Sequence, residues 1–561
     1  MEVINIKDLS FRYPDTESYA LNNLSISIDE GDFVVICGPT GCGKSTLLRL
    51  LKKEIAPHGH LTGEISYFNK PIDKWDERKL IEDIGFIFQD PDNQIVLDNV
   101  LQEMVFGLEN LGHSNVDMRK RIAELTHTFG YEQLLHEKPS ELSGGQKQIL
   151  NLLSVLALKP RVLLLDEPTS QLDPIIAKDL LVILDRLNKE LGMTIVLVEH
   201  RLEELFDIAD KVVMMDKGEI AYYGTSREVI NQVFQRQDRR YIPFLPAVSS
   251  LYLNMASKFI ANEIPLNVKE ARTWLASLSM ESSGETKKIK NRAEQATNPI
   301  IELKDVFFQF DKDKPMVLKN LSLTVQQGEF YGIIGGNGSG KTTLLKVGLN
   351  ILKPQLGKVK VFGQKYNKKT ERQLYRKMEY LPQNPLSYFT RDSIEEELIA
   401  IAKKHKLNNM KEIVAKQLHE FGIEHIKSRH PNDCSGGEMQ KAALACMLLE
   451  NPEVLWVDEP TKGLDPISKR QLATILKKIN QKGVTIVMVT HDIEFAAKYT
   501  TTCAMMFDGQ ITTEASPEQL FKGNYFYTTT INRTTQNSPI DEALTLEEVL
   551  TLWEKSKASS Y

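Results

Sequence analysis

The sequence has no long hydrophobic run. A transmembrane helix requires about 18 consecutive apolar residues, and the longest apolar runs here, such as Phe33–Cys37 and Val162–Leu165, have only the length of buried strands. The first residues, MEVINIKDLSFRYP, alternate in the manner of a strand and not of a targeting segment. We therefore expect any role at a membrane to depend on partner proteins.

The sequence also has few cysteines and a small net charge. The 561 residues include five cysteines, which form no CxxC pair and no cluster with histidine at metal-binding spacing, so zinc and iron–sulfur sites are not expected. An odd number of cysteines without a signal peptide favours a reducing cytoplasm. The net charge of −6 gives no reason, in bulk terms, to expect a nucleic-acid partner.

A long internal repeat organises the chain. KDLSFRY at Lys7–Tyr13 recurs as KDVFFQF at Lys304–Phe310, and GPTGCGKST at Gly38–Thr46 recurs as GGNGSGKTT at Gly335–Thr343, both at an offset of 297 residues. A period of this length indicates tandem domains, because solenoid repeats are far shorter. We predict a first domain at 1–232, a helical tail and polar linker at 233–298, a second domain at 299–525 and a C-terminal helical tail at 526–561.

Each copy alternates apolar runs with helical patterns. Runs of four to six apolar residues followed by helices predict an α/β fold with a mainly parallel sheet covered on both faces. The alternating segments Ile4–Tyr13 and Leu24–Ile28 predict an added antiparallel β layer. Pro265–Leu275 and Ala543–Trp553 share an apolar spacing that predicts short helical tails, although any two amphipathic helices look alike. The polar segment Glu281–Asn298 predicts a flexible linker.

The strongest chemical signal is a P-loop, GxxxxGK[ST], in each copy. Its glycines let backbone N–H groups converge on phosphate oxygens at a helix N-terminus. Lys44 and Lys341 add positive charge at the β- and γ-phosphates, and Ser45 and Thr342 offer hydroxyls to Mg²⁺. The predicted phosphate-binding residues are Gly38, Pro39, Thr40, Gly41, Cys42, Gly43, Lys44, Ser45 and Thr46 in the first copy and Gly335, Gly336, Asn337, Gly338, Ser339, Gly340, Lys341, Thr342 and Thr343 in the second.

An acidic pair follows a strand in each copy. Asp166 and Asp458 end the apolar runs VLLL and VLWV, and Glu167 and Glu459 come next. A carboxylate at the C-terminal end of a parallel strand beside a P-loop is placed to hold Mg²⁺. The following glutamate can orient or deprotonate an attacking water. Such pairs are often plain helix-capping turns, but the P-loop upstream favours the catalytic interpretation.

Three weaker motifs repeat in the same order. SGG precedes helical sequence and can form a second anion-binding helix start, a glutamine follows a strand, and a histidine ends one. Taken singly, each is more often a helix entry, a solvated loop residue or a surface residue. The residues concerned are Ser143, Gly144, Gly145, Ser435, Gly436, Gly437, Gln89, Gln383, His200 and His491. Their recurrence in both copies makes them informative.

This order of motifs resembles the nucleotide-binding domain of ABC ATPases, nearly end to end in both copies. The resemblance implies binding of ATP and Mg²⁺, and head-to-tail packing in which each ATP lies between one P-loop and the other domain's SGG. It implies catalytic roles for Glu167, Glu459, His200 and His491. Tyr13 and Phe310 are implied to stack on adenine, and His200 and His491 to contact the γ-phosphate. Further nucleotide contacts are implied for the Q-loop glutamines Gln89 and Gln383, with D-loop aspartates Asp173 and Asp465. The signature motifs LSGGQ and CSGGE are implied to contact nucleotide through Ser143, Gly144, Gly145, Gln146, Ser435, Gly436, Gly437 and Glu438. The implied Mg²⁺ ligands are Ser45, Gln89, Asp166, Thr342, Gln383 and Asp458.

A narrower resemblance comes from QDPDNQIV at Gln89–Val96, VFGLEN at Val105–Asn110 and EHRLEE at Glu199–Glu204. These segments resemble the ATPases of energy-coupling-factor importers, which take up vitamins, vitamin precursors and transition-metal ions. The resemblance implies a peripheral subunit at the cytoplasmic face of a prokaryotic membrane. Its implied partners are a transmembrane scaffold with coupling helices and a small membrane protein that captures the substrate. The alternative is a soluble tandem ABC ATPase acting on ribosomes or nucleic acid.

Three details lead to finer expectations. Glu438 replaces the neutral Gln146 of the first signature. We therefore expect both sites to turn over, with weaker ATP binding at the site that pairs Glu438 with the first P-loop. Cys42 lies inside the first P-loop, so we expect nucleotide binding to be sensitive to thiol modification. Acidic residues after each Q-loop are expected to receive basic groups of the transmembrane partner, namely Asp90, Asp92, Asp98, Glu395, Glu396 and Glu397.

Overall fold

The computed structural model describes residues 1–14, 16–256, 260–278 and 298–559. The chain divides into two compact units, Met1–Asn267 (unit 1) and Val268–Tyr561 (unit 2). Apart from Asn298, the predicted linker lies outside the described residues. The finer division at residues 232, 298 and 525 stays a prediction.

Unit 1 is built from two sheets and the helices that cover them. Its strands are β1 (Glu2–Arg12), β2 (Leu21–Asp29), β3 (Phe33–Cys37), β4 (His60–Tyr67), β5 (Lys70–Pro71), β6 (Ile84–Ile87), β7 (Val162–Asp166), β8 (Thr194–Val198), β9 (Lys211–Asp216) and β10 (Glu219–Gly224). Its helices are α1 (Lys44–Leu50), α2 (Glu77–Asp83), α3 (Val100–Asn110), α4 (Asn115–Phe129), α5 (Gly144–Leu156), α6 (Pro174–Leu191), α7 (Leu205–Ile208), α8 (Ser226–Gln235) and α9 (Ala247–Met255).

Unit 2 repeats this order after one additional helix, α10 (Val268–Ser277). Its strands are β11 (Pro299–Phe308), β12 (Leu318–Gln326), β13 (Phe330–Ile334), β14 (Leu356–Val361), β15 (Gln364–Lys365), β16 (Met378–Leu381), β17 (Val454–Asp458), β18 (Thr485–Thr490), β19 (Thr502–Phe507) and β20 (Gln510–Ala515). Its further helices are α11 (Lys341–Gly348), α12 (Glu371–Tyr375), α13 (Ile394–Lys404), α14 (Met410–Phe421), α15 (Gly436–Leu449), α16 (Pro466–Gln481), α17 (Ile493–Tyr499), α18 (Pro517–Phe521), α19 (Thr530–Thr535) and α20 (Leu546–Ser559).

The larger sheet of each unit is mainly parallel. Its strand order is β10-β9-β3-β8-β7-β6 in unit 1 and β16-β17-β18-β13-β19-β20 in unit 2. Strands β3, β7 and β8 are buried along their whole length. Helix α1 and the smaller antiparallel sheet share a core with one face, and further helices contact these strands. This burial explains their unbroken apolar sequence. The smaller sheets, β2-β1-β4-β5 and β12-β11-β14-β15, are antiparallel. The predicted α/β class with an added antiparallel layer is confirmed.

The strand order gathers the repeated motifs at one edge of each larger sheet. In unit 1 the P-loop follows β3, the histidine motif follows β8, the acidic pair follows β7 and the glutamine follows β6. These strands are parallel neighbours in that order, so their carboxyl ends meet at the same edge. Unit 2 has the same arrangement on β13, β18, β17 and β16.

Short helices follow each ATPase-like core, in the regions where helical tails are predicted. In unit 2, α10 packs against α19, and the Arg272 Nε donates a hydrogen bond to the Arg533 carbonyl at 2.7 Å. The Thr545 hydroxyl caps α20 by accepting from the Glu548 backbone N–H at 3.3 Å. Within the described ranges, none of the helices has both the length and the apolar character needed to cross a membrane.

Candidate nucleotide-binding sites

The two P-loops have the same backbone geometry. Gly43, which precedes α1, has φ +103°, and a Cβ there would lie 2.4 Å from the Ala20 carbonyl oxygen, so only glycine suits this position. Lys44 Nζ donates to the carbonyls of Gly38 and Pro39 at 2.9 and 3.1 Å. In unit 2, Lys341 Nζ donates to the two equivalent carbonyls of its own loop, both at 2.9 Å. Each buried ammonium group therefore lies across its loop, at a helix N-terminus suited to phosphate.

A hydroxyl and a carboxylate meet beside each P-loop. Ser45 Oγ donates to Asp166 Oδ1 at 2.8 Å, and Thr342 Oγ1 donates to Asp458 Oδ1 at 3.0 Å. The two aspartates are only 2% and 1% exposed, and among the described residues neither forms an ion pair. Burial raises the pKa of both carboxyl groups, while the hydroxyl hydrogen bonds oppose that shift. Buried carboxylate and hydroxyl oxygens that form no ion pair with a lysine, arginine or histidine side chain are hard ligands of the kind that Mg²⁺ prefers.

The glutamate after each of these aspartates contacts the repeated histidine. Glu167 and Glu459 both adopt a left-handed backbone, with φ of 47° and 49°, and each backbone N–H donates to the adjacent strand at 2.9 Å. Glu167 Oε1 lies 2.8 Å from His200 Nε2, whereas Glu459 Oε2 lies 2.6 Å from His491 Nδ1. Strained backbone held by strand contacts is typical of functional residues, and here it aims the carboxylate at the P-loop edge.

The remaining partners of these glutamates differ between the units. Gln89 Nε2 donates to Glu167 Oε2 at 2.8 Å, but Gln383 is exposed and makes no comparable bond among the described residues. In its place, Lys341 Nζ lies 3.6 Å from Glu459 Oε1. Burial alone would raise the pKa of Glu459, but His491 and Lys341 hold this pKa below its ordinary value.

The two SGG motifs begin helices with the same capping box. In α5 the Ser143 N–H donates to Gln146 Oε1 at 2.8 Å, and in α15 the Ser435 N–H donates to Glu438 Oε2 at 2.9 Å. The other oxygen of Glu438 lies 2.9 Å from His425 Nε2. Burial would raise the pKa of Glu438, but these contacts hold it below its ordinary value. The Glu438 carboxylate is thus held by its own helix start and by His425.

The aromatic residues expected to stack on adenine are held differently. Tyr13 packs edge-on against Phe11, and its hydroxyl is hydrogen-bonded to Thr46 Oγ1 at 3.0 Å. Phe310 packs in the same way against Phe308 but is 60% exposed. Of the two rings, only that of Tyr13 is hydrogen-bonded to a P-loop residue among the described contacts.

Comparison with known proteins identifies the family. The family model described as "ABC transporter" matches residues 21–170 and 318–462. The chain belongs to the ABC transporter family. This family hydrolyses ATP, so the chain is an ABC-type ATPase and the ATP-binding subunit of a transporter.

Related ABC proteins cover nearly the whole chain. A "Putative ABC transporter ATP-binding protein" of Bacillus thuringiensis subsp. konkukian is 42% identical over 544 residues, 97% of both chains. The "Putative HMP/thiamine import ATP-binding protein YkoD" of Bacillus subtilis is 30% identical over 524 residues, covering 93% of this chain and 92% of that protein. The solved structure of cbiO1 from Clostridium perfringens, part of the ABC transporter complex cbiONQ, is 34% identical and covers 42% of this chain and 96% of its own, at a TM-score of 0.38. That score is too low to support a functional inference.

The structure adds an ABC site residue that motif reasoning missed. Glu199 is 1% exposed and accepts hydrogen bonds from the Thr169 N–H at 2.8 Å, the Thr169 hydroxyl at 2.5 Å and the His200 N–H at 2.9 Å. It therefore ties the loop after Glu167 to the histidine. The available signal was the EH pair of the first copy, where the second copy has Thr490 before its histidine.

Burial bears on two of the finer expectations and corrects the one on Glu397. Glu397 is 7% exposed and accepts from the Thr390 and Arg391 N–H groups at 2.7 and 3.0 Å, so it folds its own loop and is not available to a partner. Cys42 is 4% exposed, and burial raises the pKa of its thiol. A buried thiol is a poor nucleophile. Burial therefore argues against the expected sensitivity to thiol reagents, which stays a prediction.

Proposed function

We propose that this ABC ATPase energises an importer of the energy-coupling-factor type, carrying a vitamin, a vitamin precursor or a transition-metal ion. The observation that carries the proposal is the complete set of hydrolytic residues in both units of one chain. The importer subgroup is supported by the segments QDPDNQIV, VFGLEN and EHRLEE. It is also supported by the match to a relative named for HMP/thiamine import over 93% of this chain.

We assign the ATP chemistry to the same groups in each unit. The P-loop N–H groups with Lys44 or Lys341 bind the phosphates. Ser45 with Asp166, and Thr342 with Asp458, would hold Mg²⁺, with Gln89 and Gln383 as further ligands. When bound, Mg²⁺ neutralises phosphate charge during transfer. The signature residues, including Ser143 and Ser435, offer helix N-termini to a nucleotide phosphate.

The glutamate and histidine of each unit act on the attacking water. Glu167 and Glu459 accept a hydrogen bond from the water and draw its proton, as general bases. His200 and His491 contact these carboxylates at 2.8 and 2.6 Å and so orient them. ATP binding and hydrolysis then select between two conformations of the transporter, which is how the chemistry drives transport.

The proposed partners are membrane proteins. A transmembrane scaffold would dock its coupling helices beside the Q-loops, and a small membrane protein would capture the substrate. Asp90, Asp98, Glu395 and Glu396 remain candidates to receive basic groups of the scaffold. Asp92 already pairs with Lys147 at 2.6 Å but is 66% exposed, so it can exchange partners.

Co-purification tests this proposal. The tagged full-length chain is expressed in the organism from which it comes, and membranes are solubilised in mild detergent. We expect a stable complex that contains a polytopic protein and hydrolyses ATP. The double variant Glu167→Gln/Glu459→Gln is the control and should assemble without hydrolysing. Isolation of the chain with ribosomes or nucleic acid, and without a membrane protein, would instead support the alternative function.

A further inference from the structure

The buried aspartate of unit 2 has a hydrogen-bond donor that its counterpart in unit 1 lacks. The Tyr380 hydroxyl donates to Asp458 Oδ2 at 3.1 Å, while Thr342 donates to the other oxygen at 3.0 Å. Both oxygens of Asp458 are therefore held, one from the P-loop helix and one from β16. In the described part of unit 1, Asp166 accepts a side-chain hydrogen bond from Ser45 only.

The difference is a substitution at one equivalent position. Tyr380 pairs with Trp456 in the parallel register of β16 and β17, and Phe86 pairs with Leu164 in the register of β6 and β7. Trp456 and Leu164 each stand two positions before the aspartate of their own unit, so Tyr380 and Phe86 occupy equivalent positions. Phe86 is 6% exposed, so the ring position is filled in both units and the hydroxyl is the chemical difference.

The hydroxyl constrains the carboxylate in a specific way. The terminal torsion of aspartate is broad and roughly two-fold, so a single hydrogen bond leaves the second oxygen free to move. A donor on each oxygen fixes the carboxylate plane. The Tyr380 hydroxyl has a proton to donate, and a carboxylate oxygen can only accept it. Hydrogen bonds to ligating carboxylates commonly tune metal binding from outside the ligand shell.

We propose that Tyr380 is a positioning residue of the second ATP site, where it orients Asp458 for Mg²⁺ and makes this site bind Mg²⁺-nucleotide at lower Mg²⁺ concentration than a phenylalanine would allow. The proposal rests on the proposed role of Asp458 as a Mg²⁺ ligand. It predicts that the two sites of one chain differ in their dependence on Mg²⁺.

The test measures nucleotide binding as a function of Mg²⁺. The full-length chain carries Lys44→Ala, so that unit 2 is the site observed, and a fluorescent ATP analogue is titrated with Mg²⁺ at fixed concentration. We expect Tyr380→Phe to raise the half-saturating Mg²⁺ concentration about tenfold, the lower end of typical effects of such partners. Tyr366→Phe is the matched control, because its hydroxyl donates to the Gly348 carbonyl at 2.8 Å and not to a site carboxylate.

A reciprocal variant keeps the test decisive if Tyr380→Phe folds poorly. In a chain carrying Lys341→Ala, Phe86→Tyr places a hydroxyl at the same register position beside Asp166. We expect the half-saturating Mg²⁺ concentration of unit 1 to fall several-fold. If neither Tyr380→Phe nor Phe86→Tyr changes the half-saturating Mg²⁺ concentration relative to its parent chain, the proposal is overturned.

Asp458→Asn separates this proposal from the function on which it rests. If Asp458→Asn abolishes the Mg²⁺ dependence in unit 2 while Tyr380→Phe behaves like Tyr366→Phe, the role of Tyr380 is wrong and the Mg²⁺ role of Asp458 stands. If Asp458→Asn leaves the Mg²⁺ dependence intact, the assignment of the metal site itself is wrong, and the proposal for Tyr380 falls with it.

Discussion

The two ATP sites of this chain lie on equivalent strands and loops and differ in the partners of their acidic side chains. In unit 1, Glu167 is held by His200 and Gln89, and no lysine pairs with it among the described residues. In unit 2, Glu459 is held by His491 and lies 3.6 Å from Lys341. The comparison teaches that equal motifs do not make equal sites, because equivalent motif residues contact different partners in the two units.

The largest effect is expected when both catalytic glutamates are neutralised. Glu167→Gln/Glu459→Gln keeps the size of both side chains but removes the base, so ATP turnover should fall by about 10²–10⁴-fold. Nucleotide binding should persist, since both P-loops are intact. Steady-state hydrolysis and equilibrium binding measure the two quantities. The surface variant Glu190→Gln on α6 is the control, and similar turnover in control and double variant would contradict the assigned bases.

A second comparison concerns the buried Glu199, which unit 2 replaces with Thr490. Glu199→Thr gives unit 1 the residue that unit 2 has before its histidine. The substitution leaves the buried Thr169 N–H without its acceptor. We expect unit 1 to lose about 1–3 kcal/mol of unfolding free energy. Hydrogen exchange of the full-length chain should show reduced protection around Thr169 and His200. Glu204→Thr, at a residue whose side chain is 43% exposed, is the matched control; equal protection in the two variants would refute this role.

A smaller, pH-dependent effect is expected at Glu438. Its pKa is held below the ordinary value, so its stabilising contribution is present above about pH 4.5 and is lost as the pH falls through the lowered pKa. Glu438→Gln retains the capping box, as Gln146 shows, and loses only the pairing with His425. We expect roughly 0.5 kcal/mol less stability near pH 6, with the difference vanishing once the pH has fallen below the lowered pKa of Glu438. Thermal melts across this range test it, and a constant difference would contradict the linkage.

The smallest effect is expected in the first P-loop. Cys42→Ser introduces the residue that unit 2 has at the equivalent position, Ser339, and Cys42 is buried with its thiol protonated. We expect ATP affinity to change less than about twofold, as for a near-isosteric exchange in a packed site. Iodoacetamide labelling followed by mass spectrometry should show that Cys42 reacts much more slowly in the folded than in the unfolded chain. Rapid labelling of the folded chain would restore the sequence-based expectation.

The sequence predicted the fold and the identity of the motifs well, for a physical reason. Buried parallel strands such as Phe33–Cys37 need unbroken apolar residues, and phosphate loops need glycine, so both leave marks at short range. Contacts that depend on which strands are neighbours leave no such mark. Tyr380 and Asp458 are 78 residues apart in the chain, and their meeting follows from the pairing of β16 with β17.

The same reasoning applies to two carboxylates whose surroundings the sequence does not reveal. Glu397 reads as an acidic residue at a helix start, and only the folded loop shows that Thr390 and Arg391 occupy its oxygens. Glu438 reads as a carboxylate that replaces Gln146, and only the structure shows that its oxygens bind the Ser435 N–H and His425. The weaker ATP site expected from this charge stays a prediction. In both residues a local hydrogen bond decides which way the carboxylate points.

The affinity of each site for ATP after removal of its own glutamate charge tests the central comparison most directly. Because Lys341 pairs with Glu459, an incoming nucleotide must compete for this lysine, whereas Lys44 has no such ion pair among the described residues. Each unit is observed in a chain whose other P-loop lysine is replaced by alanine. Glu459→Gln should tighten ATP binding in unit 2 by about threefold or more. Glu167→Gln should change ATP binding in unit 1 by less than about twofold. Equal changes in the two units would contradict the account.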